Sequence, residues 1–115
     1  MRQETPMDWK AELADANANL ALYRRADPEG AAGFSAMHKA AMGDGHLGTK
    51  EKELICIAIG IVRQCVDCIG FHAKAAKAAG ATREEITEVI TVSMYMGGGP
   101  AYMYGVKALE AYDQL

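Results

Sequence analysis

The chain has 115 residues, 12.3 kDa, 50% hydrophobic and 23% charged, with a net charge of −3. That fits one domain, is too apolar for a disordered chain, and gives no basic surface for nucleic acid. No apolar stretch is long enough to span a membrane, and residues 1–10 lack the apolar core of a secretory leader. Alanine supplies 21 residues, Phe two and Trp one. A core that thin in so short a chain calls for subunit association, since three cysteines make no disulfide framework.

Helical spacing runs nearly end to end, and no alternating strand pattern occurs. The first helix is expected over Met7 to Arg25, with Trp9, Leu13, Ala16, Leu20 and Tyr23 on one face. Asp27-Pro28 starts a second, Asp as N-cap and Pro at N1, ending at Gly43-Asp44-Gly45. Thr49 is expected to cap a third helix through about Arg63. A fourth begins near Cys65 and runs to Ala79, with Gly80 in the left-handed position after it. Thr82 and Glu85 form a capping box for a fifth. Gly97-Gly98-Gly99 ends that helix, and Pro100 starts a sixth to about Tyr112. The expected fold is all-α, one domain of six helices over 1–115.

One segment carries chemistry: Cys65-Val66-Asp67-Cys68-Ile69-Gly70-Phe71-His72. In a helix this spacing gathers Cys65, Cys68 and His72 on one face. Both cysteines sit in the first turn, where free N–H groups and the macrodipole favour thiolate. A tight turn at Arg63-Gln64 makes the third and fourth helices antiparallel, which brings Glu53 and His72 to the same depth. The expected chain is Glu53 orienting His72, and His72 serving Cys68.

Those residues resemble the alkyl hydroperoxidase D branch of the carboxymuconolactone decarboxylase superfamily. The likeness rests on Glu53, eleven intervening residues, Cys65-x-x-Cys68, then three residues and His72. Lys52-Glu53-Leu54-Ile55, Ala79 to Ile86 and Gly97-Gly98-Gly99-Pro100-Ala101 add to it, over about Leu47 to Leu109. The resemblance implies a helical fold that assembles as a homo-oligomer, a trimer or hexamer. It implies a thiol peroxidase in the cytoplasm that needs no bound cofactor or metal. Cys68 would attack the peroxide, Cys65 would resolve the sulfenic acid as a disulfide, and Glu53 and His72 would relay the proton. A dithiol, such as a lipoyl group or a thioredoxin-like protein, would reduce the pair. One departure stands out: the family enzyme has a second His between its cysteines, where this chain has Asp67. A carboxylate there raises the thiol pKa unless Arg63 or Lys74 offsets it.

Other readings of the same residues are a disulfide oxidoreductase or redox sensor, a lactone decarboxylase, and a non-catalytic oligomeric binding protein. A zinc site from both cysteines, His72 and Glu53 lacks the usual second knuckle. A thioredoxin fold lacks its βαβ context. Cys56 is expected in the core, and His38 and His46 on the surface or in loops. Met94 to Met96 and Tyr102 to Tyr104 are expected in the core or at a subunit interface. Gly97 to Gly99 is not a phosphate loop, having no following Lys and no preceding strand. Ala73, Ala75, Ala76, Ala78 and Ala79 are expected to pack tightly within the subunit or against a neighbour, holding the thiol face beside Glu53.

Overall fold

The computed structural model describes residues 6–115. Residues 1–5, part of the stretch read as lacking a leader, lie outside the described residues. The described chain forms six helices and no strand: α1 Trp9–Ala26, α2 Pro28–Met42, α3 Thr49–Val62, α4 Val66–Ala78, α5 Arg83–Gly97 and α6 Gly99–Gln114. None is long and apolar enough to cross a membrane.

The boundaries follow from their caps. Asp8 accepts from the Ala11 N–H at 3.0 Å, so α1 starts two residues later than Met7. Asp27 alone separates α1 from α2, closing the first and accepting from the Gly30 N–H at 3.1 Å for the second. The Thr82–Glu85 capping box forms as expected. Thr49 does not cap α3. Gly48 holds the N-cap position without a side-chain bond, and Thr49 is already helical. Asp44 takes the capping role from five residues back, its Oδ1 accepting from Thr49 N–H at 2.8 Å and Thr49 Oγ1 at 3.0 Å. Those two bonds hold the Asp44 carboxyl below its ordinary pKa. Gly98, at φ +77°, joins α5 to α6, so α6 begins at Gly99 rather than Pro100.

The core lies among α1, α3, α4, α5 and α6, around Trp9, Ile57, Ile61, Ile69 and Ile86. Small residues complete it: Ala73, Ala76, Ala101, Ala108 and Ala111 are fully or nearly buried. Within the subunit, the alanine packing expected of α4 involves one face. Ala75 is half-buried, while Ala78 and Ala79 are exposed, because they rotate away at the helix end. α1 is tied to the far end of the chain. Trp9 donates its backbone N–H to Gln114 Oε1 at 2.8 Å and its indole N–H to Glu110 Oε1 at 2.7 Å. Gln114 Nε2 returns a bond to Met7 O at 2.7 Å.

α2 differs from the rest. It buries no residue, and Phe34 is 75% and Met37 66% exposed. The radius of gyration, 14.9 Å, exceeds the roughly 13.4 Å of a compact chain this long, in keeping with a helix that stands off the core.

Candidate functional site

The site starts at the turn that ends α3. Gln64 adopts φ +58°, the left-handed region, and two bonds close around it. Gln64 N–H donates to Ile61 O at 3.1 Å, and Cys65 N–H donates to Gly60 O at 2.9 Å. This is the Schellman pattern, here with Gln where Gly is usual. The same pattern closes α4, with Gly80 at φ +98° and bonds from Gly80 to Lys77 and from Ala81 to Ala76. The Gln64 turn sends the chain straight back, so α3 and α4 pack side by side. Gly60 lets them approach: a Cβ there would stand 3.2 Å from Cys68 Cβ.

Cys65 is the N-cap of α4 rather than a helical residue. Its Sγ accepts from the Cys68 N–H at 3.2 Å, and the two cysteines are joined as a disulfide with Cα atoms 5.2 Å apart. Both are half-buried. On reduction, the sulfurs face the unpaired N–H groups of the first turn, which favour thiolate.

His72 lies one turn beyond Cys68 on α4. Its Nδ1 is 2.7 Å from Glu53 Oε2 on α3. Glu53 is only 5% exposed, the one buried carboxylate among the described residues. An ionised carboxylate can only accept, so with Glu53 ionised this bond requires a proton on Nδ1, and a neutral ring would then present Nε2 as an acceptor. The structure thus joins Glu53 to His72, as the antiparallel register of α3 and α4 led us to expect, and Cys65 to Cys68, as the family resemblance implied. Among the described residues, no three His, Cys, Asp or Glu side chains are set to hold a metal ion.

Three residues outside this group were assigned other places from the sequence. Cys56 is half-buried rather than core, with Met42 Sδ 3.8 Å from its sulfur. Burial, and then the Glu53 charge, push its thiol pKa up, which disfavours the reactive thiolate. His38 and His46 are exposed.

The family model for "Carboxymuconolactone decarboxylase family" matches residues 28–111. The chain belongs to the carboxymuconolactone decarboxylase family. The matched stretch takes in α2, beyond the Leu47 to Leu109 over which the motifs suggested likeness. An uncharacterized protein of Cupriavidus necator is 39% identical over 94% of this chain and 96% of its own length. An uncharacterized protein from the cox locus of Paracoccus denitrificans is 39% identical over 90% of this chain and 93% of its own. The crystal structure of a carboxymuconolactone decarboxylase family protein from Legionella pneumophila, in its apo form, is 42% identical. It superposes with a TM-score of 0.90, covering 92% of this chain and 95% of that one.

Sequence reasoning missed Glu12. It lies half-buried on α1, near Asp67 between the two cysteines. The Asp67 carboxyl foremost, then burial and Asp15, push the Glu12 pKa up. Neither Arg63 nor Lys74 forms an ion pair with Asp67 among the described residues. The charged group that bears on Glu12 from α4 is this Asp67, another acid. No helical spacing announces this proximity, because it depends on how α1 crosses α4.

Proposed function

We propose that this protein is a thiol-dependent peroxidase working through Cys65 and Cys68. The observation that carries this reading is a Cys65–Cys68 disulfide at the N-terminus of α4, with His72 one turn along that helix and bonded to the buried Glu53 of α3. In the reduced site, His72 takes the Cys68 proton through Nε2, and Glu53 stabilises the imidazolium that results. The Cys68 thiolate attacks one peroxide oxygen. The O–O bond breaks, Cys68 becomes a sulfenic acid, and the other oxygen leaves as water or an alcohol after taking the proton back. Cys65 then attacks the Cys68 sulfur, the S–O bond breaks, water leaves, and the disulfide forms. A dithiol donor, a lipoyl group or a thioredoxin-like protein, restores both thiols by exchange and becomes a disulfide itself. The reducing cytoplasm is the compartment that suits such a cycle.

The reading includes a homo-oligomer, a trimer or hexamer. The exposed apolar residues of α2 support it, as does the run of Ile55, Ile59 and Val62 on α3 beside Val92 and Met96 on α5. A contiguous apolar surface of this kind marks an interface more often than open water.

The test is to incubate reduced protein with cumene hydroperoxide and follow thiols and the disulfide by mass spectrometry. Cys68→Ser is expected to consume no peroxide. Cys65→Ser is expected to leave a sulfenic acid that a dimedone probe traps. Peroxide consumption by Cys68→Ser at the wild-type rate reverses the roles. Wild-type thiols no faster than free glutathione toward peroxide, yet fast toward a disulfide substrate, replace the peroxidase with a disulfide oxidoreductase.

A further inference from the structure

α2 is held at its two ends and bare between them. One residue, Asp27, joins it to α1. At its other end Thr49 Oγ1 donates to Met42 O at 3.2 Å, and Lys52 Nζ donates to Gly43 O at 2.6 Å. Between these ties it buries no residue. Among the described residues it packs on α1 and α3 and does not reach α5 of its own chain. Phe34 and Met37, one turn apart, are its two large exposed apolar side chains.

A second bare surface lies elsewhere on the molecule. α3 and α5 leave two shallow hollows between them, of about 330 and 380 Å³, joined through Ala58 and Val92. Ile55 lines the first and Ile59 the second, one turn apart, like Phe34 and Met37 on α2. Along α5 the joined hollows run from Glu88 to Met96, about 12 Å of helix, which is room for the two turns that carry Phe34 and Met37.

Charge says how the two surfaces combine. Phe34 shares the cleft between α1 and α2 with Arg24 and His38, and no acid lines that cleft among the described residues. The first α3–α5 hollow carries Glu85 and Glu88 and, among the described residues, no cation. Glu85 is committed to Lys50, but Glu88 and Arg24 form no ion pair among the described residues. α2 laid on α2 brings like charges together, and so does groove laid on groove. α2 laid in the groove opposes the signs. With Phe34 in the first hollow and Met37 in the second, the carbonyl end of α2 also points to Arg63, which lines the second.

We propose that α2 of one copy lies in the α3–α5 groove of a second copy, anchored by Phe34 and Met37, with Arg24 on the side of Glu88. The inference deepens the assembly described above and rests on it: the two bare surfaces face each other, not themselves. Such a contact is heterologous, and repeated at a third of a turn it closes a ring of three. The apolar anchors supply affinity, and the charges fix the direction of approach.

Complementation tests the pairing. Phe34→Glu disables the arm and keeps the groove; Ile59→Lys disables the groove and keeps the arm. Neither residue belongs to the core, so both variants are expected to keep wild-type helicity by circular dichroism. Alone, each is expected to sediment as a smaller species than wild type, with association weakened about tenfold or more. Mixed, they are expected to form a larger species with equal numbers of the two, counted by native mass spectrometry with one variant carrying nitrogen-15. A variant that assembles like wild type, or a mixture that behaves as the two do separately, overturns the proposal. A second measurement needs no disruptive change. A photoreactive phenylalanine analogue at position 34 of the full chain is expected to crosslink, between chains, to peptides of α3 or α5. Interchain crosslinks to other peptides alone, or none in a multimer, remove this contact and leave the assembly standing. A wild type that sediments as a single chain removes both. The peroxidase chemistry is judged apart from either, by the cumene hydroperoxide assay.

Discussion

His72 Nδ1 sits 2.7 Å from Glu53 Oε2, and the carboxylate in that contact is almost wholly enclosed. A buried carboxylate without a partner is costly, so the pair is a structural requirement before it is a catalytic one. His72→Ala leaves Glu53 enclosed with no donor and is expected to cost about 1–3 kcal/mol, read from urea unfolding. Glu53→Gln preserves shape and keeps a neutral partner for the ring. It is expected to fold, yet to slow Cys68 oxidation by peroxide about tenfold or more, because the imidazolium loses its counter-charge. An unchanged oxidation rate in folded Glu53→Gln removes the relay from the mechanism.

Gln64 bears strain that a glycine would not. Its backbone is left-handed, and the Schellman bonds from Gln64 and Cys65 hold it there. Gln64→Gly is expected to raise stability by roughly 0.5–1 kcal/mol while leaving the disulfide position unchanged. Thermal melting of the oxidised protein checks this. A fall in melting temperature means the Gln64 side chain contributes something the backbone bonds do not.

That turn also marks where the sequence stops being legible. Local signals were read correctly wherever one residue does the work: Asp27 at the α1–α2 junction, the Thr82–Glu85 box, and Gly80 after α4. A helix break near Gln64 was visible, but its left-handed conformation was not, since Gln carries no such signature. Thr49 looked like a cap because the true capping side chain, Asp44, reaches it across a loop. The Glu53–His72 contact could be foreseen, because a tight antiparallel turn fixes the register of two helices. The crossing of α1 on α4 could not, because the two helices are far apart in the chain and the crossing is set by Trp9 and Leu13 on Gly70.

Gly70 is the position where that crossing is most exacting. A Cβ there would lie 2.8 Å from two carbons of the Trp9 ring and 2.9 Å from Leu13 Cδ2. Ala in a helix interior ordinarily gains about 1 kcal/mol over Gly. Here the Trp9 ring is fully buried and its indole is held by Glu110, so it has little room to yield. Gly70→Ala is expected to be destabilising by about 1–3 kcal/mol, and Trp9→Ala by about 3–5 kcal/mol. A stabilised Gly70→Ala would show that α1 slides on α4 freely.

The start of α5 gives a pH-dependent prediction. Glu85 accepts from the Thr82 backbone N–H at 2.8 Å and pairs with Lys50 at 2.9 Å. The Thr82 bond, and then Lys50, hold the Glu85 carboxyl below its ordinary value of 4.5. A depressed folded-state pKa contributes stability that is fully present above the unfolded value. It is lost as pH falls through the folded one. Glu85→Gln is therefore expected to lower the melting temperature at neutral pH, with the difference from wild type closing in acid. Thr82→Ala removes the cap without a titrating group and is expected to cost about 1 kcal/mol at both pH values. If the Glu85→Gln deficit persists undiminished in acid, hydrogen-bond geometry rather than charge is what Glu85 supplies.

Assembly is open to an equally direct measurement. The chain weighs 12.3 kDa, buries nothing from α2, and leaves Ile55, Ile59 and Val62 of α3 about half exposed. These side chains and those of α5 form one apolar surface, because Ala58 and Val92 line both of the hollows between the two helices. Sedimentation equilibrium at micromolar concentration is expected to give a multiple of the chain mass, three or six. A Lys at Ile59 places a charge in the middle of this surface, where desolvating it is costly. Ile59→Lys is expected to shift the population toward smaller species while helicity by circular dichroism is kept, since Ile59 is not part of the core. A wild-type mass equal to one chain rejects the assembly outright. An undiminished multimer in Ile59→Lys moves the interface to another surface, for which the exposed α2 residues Phe34 and Met37 are the next to be substituted.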